Sequence, residues 1–524
     1  MIGKKINTLL FLMLIPLIIS GCGAGGEAST NVKENQLIYA SDTEFAGLNP
    51  ILEETNIDAL LFRGLMRFDE QNKPVADIAE SFEISEDQLT YVFNLKKDIR
   101  FHDGEPLTAE DVLFTINSIL DDKNASFLKS DFTAVESITK IDDFQLEVKL
   151  KHPFIPFLDK LTVPILPKHV FEGVDMRTSE FNSHPIGAGP YMFEKWERGN
   201  SLTFKAYEDF HGTKPSIEKL VFKFIPDSNV RALQLKSGEV DMALLDPVQT
   251  ESLKKDEDIV IRVIGTADYR GILYNMKNDL WKDVDVRRAF NYATDREKVV
   301  KGILKGYGIE AYSPLQKHEF NNENVEKYTY DLIKAKNLLD GAGWKVGEDN
   351  FRYKDGVKLE FTITAPVTDT VRVNMANYVA EGFKAIGADV KVEAKDWSTI
   401  SIEDTDAFII AWGSPYDADH HTHILFHTAQ SSTTSFGYNY GNYSNEIVDT
   451  LLVKGRNSSD DNERKAAYMD FQSELAQDPP FDFIAFIDAI YGMNKELEGV
   501  KERTLGHHGS GFLWNVEEWK WNDR

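Results

Sequence analysis

Residues 79–95 set apolar against polar positions with a period of two, and the acidic turn Ser85-Glu86-Asp87-Gln88 divides the run, which predicts two half-buried strands. A second turn follows at Asp103-Gly104. Thr108, with Glu110 and Asp111 close behind, then predicts a capped helix. Residues 36–40 read as a short strand, and Leu48-Asn49-Pro50 as a turn leading into a helix through 58–65. The run from Arg231 is amphipathic and stops at Gly238, after which Val240 and Met242 point inward from a strand. Near the other end, Phe408-Ile409-Ile410-Ala411 predicts a fully buried strand that Gly413-Ser414-Pro415 breaks into a loop.

The first residues follow a different pattern. Lys4-Lys5 precedes an apolar run over 9–19, too short to span a bilayer comfortably, and Ile19-Ser20-Gly21-Cys22 closes it. That ending resembles the lipobox of a bacterial lipoprotein signal peptide, so residues 1–21 are expected to be a leader and Cys22 the lipidated new N-terminus. Cys22 is also the one cysteine of the chain, which excludes structural disulfides and cysteine-type zinc sites. Residues 22–36, rich in small and polar side chains, are expected to be a flexible tether from the membrane to the body.

About 500 residues remain, enough for two or three domains. The formal charge is −27, and two units more negative without Lys4 and Lys5, which argues against nucleic-acid or anionic-membrane partners. Catalytic signatures are missing. The pair His423 and His427 encloses Ile424, Leu425 and Phe426 and no glutamate, and there is no Gly-x-Ser-x-Gly elbow and no Walker loop. Ser431-Ser432-Thr433-Thr434-Ser435 reads as a pocket rim or exposed turn, so a secreted hydrolase is a remote alternative and no enzymatic cofactor is expected.

The densest group of ligand-type side chains follows the buried strand at 408–411. Trp412, Tyr416, Asp417, Asp419, His420, His421, His423 and His427 lie within sixteen residues, and the four histidines are a third of the twelve in the chain. If a helix starts near Asp417 or Asp419, either of which is a good N-cap, His420, His423 and His427 share one face. Neutral imidazoles so placed could hold a borderline metal ion. The alternative is a His-rich helix start that coordinates nothing.

Residues 79–112 as a whole resemble the signature of the family 5 solute-binding proteins, the peptide and nickel receptors of ABC importers. The resemblance extends through His184-Pro185-Ile186-Gly187-Ala188-Gly189-Pro190-Tyr191, through 207–227 and 231–241, and through 286–296 and 330–344. It implies an α/β, two-lobe periplasmic-binding-protein-like fold of type II, with a ligand cleft between lobes joined by two crossing strands. On that basis lobe 1 is expected at 37–270 plus 490–524, with an extra subdomain at 68–184, and lobe 2 at 271–489. The crossings are expected at 269–275 and 483–491. The implied protein is an extracytoplasmic, lipid-anchored, monomeric receptor that hands a small solute to a membrane permease.

Within that family two ligand classes compete. In its peptide receptors an aspartate of the lobe 2 loop pairs with the peptide amine, a role open here to Asp417 or Asp419. In its nickel receptors the loop reads Trp-Gly-Ala-Pro-Tyr-Asp, similar to Trp412-Gly413-Ser414-Pro415-Tyr416-Asp417, and its Trp and Tyr line the chelate pocket. Those receptors also place an arginine before a proline where Val163-Pro164 stands here. His420, His421, His423 and His427 would supply the missing donors, so the reading leans to a transported Ni(II) complex, with a short peptide as the alternative.

Overall fold

A computed structural model describes residues 35–431 and 437–522. The expected leader, Cys22, most of the expected tether and Ser432 to Ser435 lie outside these residues. From Asn35 onward the chain packs as one compact unit built on a single eleven-stranded mixed sheet. Across that sheet run Asp389–Lys395, Glu360–Pro366, Ala407–Trp412, Ile259–Tyr274, Phe481–Asn494, Met242–Leu245, Gln36–Ser41, Lys219–Phe224, Ser201–Ala206 and Tyr191–Glu197, with Gly308–Glu310 paired to Phe481–Asn494.

The two longest strands, Ile259–Tyr274 and Phe481–Asn494, lie antiparallel at the centre and belong to both halves of the sheet. Residues 259–265 pair with 488–494, and 269–273 pair with 481–486, with a register slip between Gly265 and Tyr269. Such a slip leaves residues unpaired and bends the ladder. The apolar cores divide at the same place. One gathers side chains from 37–264 and 489–521, including Phe93, Phe157 and Trp519, and two others draw on residues 269–486, including Trp281, Phe290, Phe408 and Phe471; a fourth, around Leu235 and Leu245, lies in the first half and takes in only Tyr307 from the second. Two lobes, each with its own core, are therefore joined through two shared strands.

Beside the first lobe's part of the large sheet, a four-stranded antiparallel sheet runs Ala79–Ile84, Thr90–Leu95, Gln145–Leu150, Val135–Asp142, and the helix Ala109–Leu120 packs on it. Its local chemistry follows the sequence. Thr108 and Asp111 form a reciprocal capping box, Gly104 takes φ +92, and Gly238 ends the helix Ser228–Ser237 in the left-handed region at φ +74. His102 holds a turn, its Nε2 3.0 Å from the Gly189 carbonyl and its Nδ1 accepting the Gly187 N–H at 3.1 Å.

Candidate functional site

Trp412 ends the strand Ala407–Trp412, every residue of which is buried, and Gly413 turns the chain at φ +137. A side chain at 413 would put its Cβ 1.9 Å from the Ala267 carbonyl oxygen, so only glycine lets this loop lie against the crossing strand. The Gly413 carbonyl accepts the N–H of His507 at 3.0 Å, which ties the loop to the C-terminal turn 506–510. The Trp412 indole is thereby held between two rings, Tyr438 at 5.0 Å and 27° on one side and His507 at 5.0 Å and 15° on the other. His421 meets its edge at 5.2 Å.

Next to this stack sit two arginines. Arg270, on the outgoing crossing strand, is ion-paired to Asp268, whose second oxygen accepts the backbone N–H of His508 at 3.0 Å. Buried Arg270 keeps an Nε–H with no protein acceptor. Arg372, in the helix Thr370–Ala385, is held by Asp369 at 2.7 Å and brings Nη2 to 3.5 Å from His508 Nε2. His508 itself takes φ +51, a conformation unusual for a residue with a side chain.

The electrostatics mark an enclosed space. His508 is pushed down to about 3, first by burial and then by the Arg372 and Arg270 charges, and His507 is held well below the ordinary histidine range by burial and by His508 and His421. His508, Asp42 and Glu54 are nevertheless exposed, and burial raises both carboxyls. Side chains that keep accessible surface while being crowded by protein line a cleft. Asp42, Glu54 and His508 come from the first lobe's stretches of chain, and Arg372, Trp412 and Tyr438 face them from the second.

The structure divides the histidines that the sequence grouped. The helix runs over Asp419–Phe426, preceded by Ala418 and without a side-chain cap; Asp417 Oδ1 accepts the Asp419 N–H at 2.9 Å. His420 and His421 lie together at 4.7 Å on the Trp412 and Tyr416 side, whereas His423 and His427 pair at 4.6 Å on another. His423 Nε2 receives Arg456 Nη1 at 2.9 Å, and His427 Nδ1 accepts the Ala429 N–H at 3.0 Å. Among the described residues no group of three or more His, Cys, Asp or Glu side chains is arranged to hold a metal ion. The four histidines His420, His421, His423 and His427 are therefore not gathered into the expected cage: His421 and His423 lie about 200° apart around the helix, and His423 and His427 are engaged by Arg456 and by the Ala429 N–H.

Asp417 and Asp419 are likewise committed. Arg464 Nη2 reaches both Asp417 oxygens at 2.8 Å, and Arg456 Nη2 takes Asp419 Oδ2 at 2.9 Å, which, among the described residues, leaves only the buried Asp419 Oδ1 without a protein partner. Tyr416 stacks on Phe68 of the first lobe rather than facing the cleft alone. Val163 is buried, with no cation at that position. What the sequence reading missed is Arg270, Arg372, His507 and His508. The doublet between Gly506 and Gly509 was visible as two more adjacent histidines in a turn; for the arginines there was no local signal.

A two-lobed body with crossing strands and a charged, aromatic-walled cleft is the build of a receptor that encloses a small solute. The chain belongs to the bacterial extracellular solute-binding proteins, family 5, whose middle-region profile matches residues 73–433. It is 40% identical to NikZ from Campylobacter jejuni, solved in complex with Ni(L-His), with a TM-score of 0.90 over 93% of this chain and 100% of that one. The oligopeptide-binding protein AppA of Bacillus subtilis is 30% identical over 97% of each chain, and its structure with a nonapeptide aligns at a TM-score of 0.85 over 93% of this chain and 98% of that one. Protein XP55 of Streptomyces lividans is 33% identical over 93% of this chain and 91% of its own length.

Proposed function

We propose that the protein is the solute receptor of an ABC importer and that its cargo is a preformed nickel complex of a small carboxylate-bearing chelator, such as histidine. The observation that carries this reading is the pairing of His507 and His508 with Arg270 and Arg372 beside Trp412. Imidazoles held neutral offer nitrogen donors to a borderline metal, and guanidiniums offer hydrogen bonds to carboxylates. The arginines supply the positive charge that Val163 does not. With fewer than three protein donors converging, the metal must arrive with ligands of its own. The NikZ likeness, with its Ni(L-His), supports the same cargo.

The lobes, placed at 37–270 plus 490–524 and at 271–489, close on the complex and present the closed shape to a permease. The protein captures its cargo and transforms nothing. Cys22 anchors it outside the cell membrane. The AppA likeness and a dipeptide-binding relative from Escherichia coli, 26% identical, favour a second reading in which a short peptide occupies the cleft. In that case Glu54 or Asp42, and not Asp417 or Asp419, faces the peptide amine.

Calorimetry of the body from residue 35 onward separates the two. Nickel with L-histidine is expected to bind and nickel alone to bind far more weakly. Binding of a mixed short-peptide pool with no response to nickel-histidine overturns the proposal in favour of peptide.

A further inference from the structure

Away from the cleft's charged wall, the two lobes meet along a seam in which one contact joins two acidic residues. Asp159 lies in the helix Phe157–Lys160, whose Phe157 is fully buried in the first lobe's core; Asp417 precedes the helix Asp419–Phe426 of the second. Asp159 Oδ2 accepts the backbone N–H of Asp417 at 3.0 Å. Around this bond, Phe68 stacks on Tyr416, the N–H of Ile155 donates to the Arg456 carbonyl at 3.0 Å, and Lys73 pairs with Glu319 at 2.6 Å. All of these contacts exist only while the lobes are together.

The charges facing Asp159 do not neutralise it. From its own element comes Lys160, already paired to Asp131 at 2.8 Å, and from the loop near the seam's rim comes Lys73, paired to Glu319. From the second lobe comes Asp417, whose carboxylate is held by Arg464, with His318 Nε2 3.2 Å from the Tyr416 carbonyl beside it. A carboxyl group that is only 9% exposed thus meets another carboxylate, and the one bond it makes across the seam needs a lone pair, not a charge.

We propose that Asp159 positions the second lobe's 416–419 loop when the lobes close, and that it picks up a proton in doing so, so that solute capture is linked to proton uptake. Burial and then the Asp417 charge push the Asp159 carboxyl up to about 7, against the opposing pull of the Asp417 N–H, Lys160 and Lys73. With the lobes apart, Asp159 faces water and titrates near the usual ~3.9. The sign follows from linkage. The closed form binds the proton more tightly, so closing is favoured as pH falls below about 7 and is independent of pH above it.

The test needs no solute, so it stands or falls separately from the nickel reading. In the full chain carrying Cys22→Ser, Lys73→Cys and Glu319→Cys put one thiol on each side of the seam, and the rate of bridging by a short bis-maleimide reports the closed fraction. The same chain with Asp159→Asn keeps an oxygen that accepts the Asp417 N–H but never ionises. Dividing the parent rate by the D159N rate cancels the thiols' own pH dependence. This ratio is expected to fall about tenfold per pH unit from 5.5 towards 7 and to level off above. A ratio constant from pH 5.5 to 8.5 overturns the proton linkage. Asp159→Ala removes the acceptor and should bridge more slowly than D159N at every pH; equal rates for the two overturn the positioning role.

Discussion

Phe68 and Tyr416 lie face to face with ring centroids 3.7 Å apart and planes 6° from parallel, one ring from each lobe. The loop that carries Trp412 to the cleft is thus also the surface on which the first lobe docks. The stretch proposed to read the solute thus also forms the contact between the lobes, and it is anchored from behind by Arg464 on Asp417 and Arg456 on Asp419.

Removing that stack should weaken capture without unfolding either lobe. An aromatic pair contributes about 0.5–1.5 kcal/mol beyond the area it buries, so Phe68→Ala is expected to lower solute affinity roughly two- to tenfold. Calorimetry with nickel-histidine reads the affinity and a melting curve reads the fold. An unchanged affinity would show that the stack does not contribute to closure.

The charged wall should be the part of the site that distinguishes ligands. Truncating one member of a buried, hydrogen-bonded charge pair costs about 2–5 kcal/mol, so Arg372→Gln is expected to weaken nickel-histidine binding by about thirtyfold or more. His508→Gln should act in the same direction. His423→Gln and His427→Gln, which face another side of their helix, should leave binding within a factor of two or so. Loss of binding in the last two, with the first two silent, would return the site to the helix 419–426.

Stability has a separate centre at the start of the returning strand Phe481–Asn494. Asp482, fully buried, takes Arg296 and Thr294, while Arg296 also donates to the carbonyls of Phe483, Ala311, Asn291 and Tyr328. Asp482→Ala strands that guanidinium in the second lobe's interior and is expected to cost about 3–5 kcal/mol. Urea unfolding measures it; a loss below about 1 kcal/mol would mean the carbonyls alone satisfy Arg296.

At the membrane the expectation rests on sequence. Cys22→Ala should leave a folded protein that fractionates away from membranes, because the lipid would be attached there and nowhere else. Wholly membrane-bound variant protein counts against lipidation at Cys22.

The sequence by itself determined the local elements and the family. Period-two runs at 79–95, the Thr108 box and the Gly238 stop are set by interactions a few residues apart, so they were legible in order along the chain. The loop at 412–417 was legible as a candidate site for the same reason, since its Trp, Gly and Tyr are close in sequence. What those side chains touch was not. Asp417 and Asp419 looked unpaired until the fold brought arginines 47 and 37 residues away against them, and the four histidines looked like one cluster until Arg456 and the Ala429 N–H engaged His423 and His427. The cleft's Arg270, Arg372, His507 and His508 come from a crossing strand, a helix and a C-terminal turn, brought together by the parallel and antiparallel pairings of one sheet. Charge compensation and burial are settled by whichever groups the fold places within a few ångströms, and only the tertiary structure decides which those are.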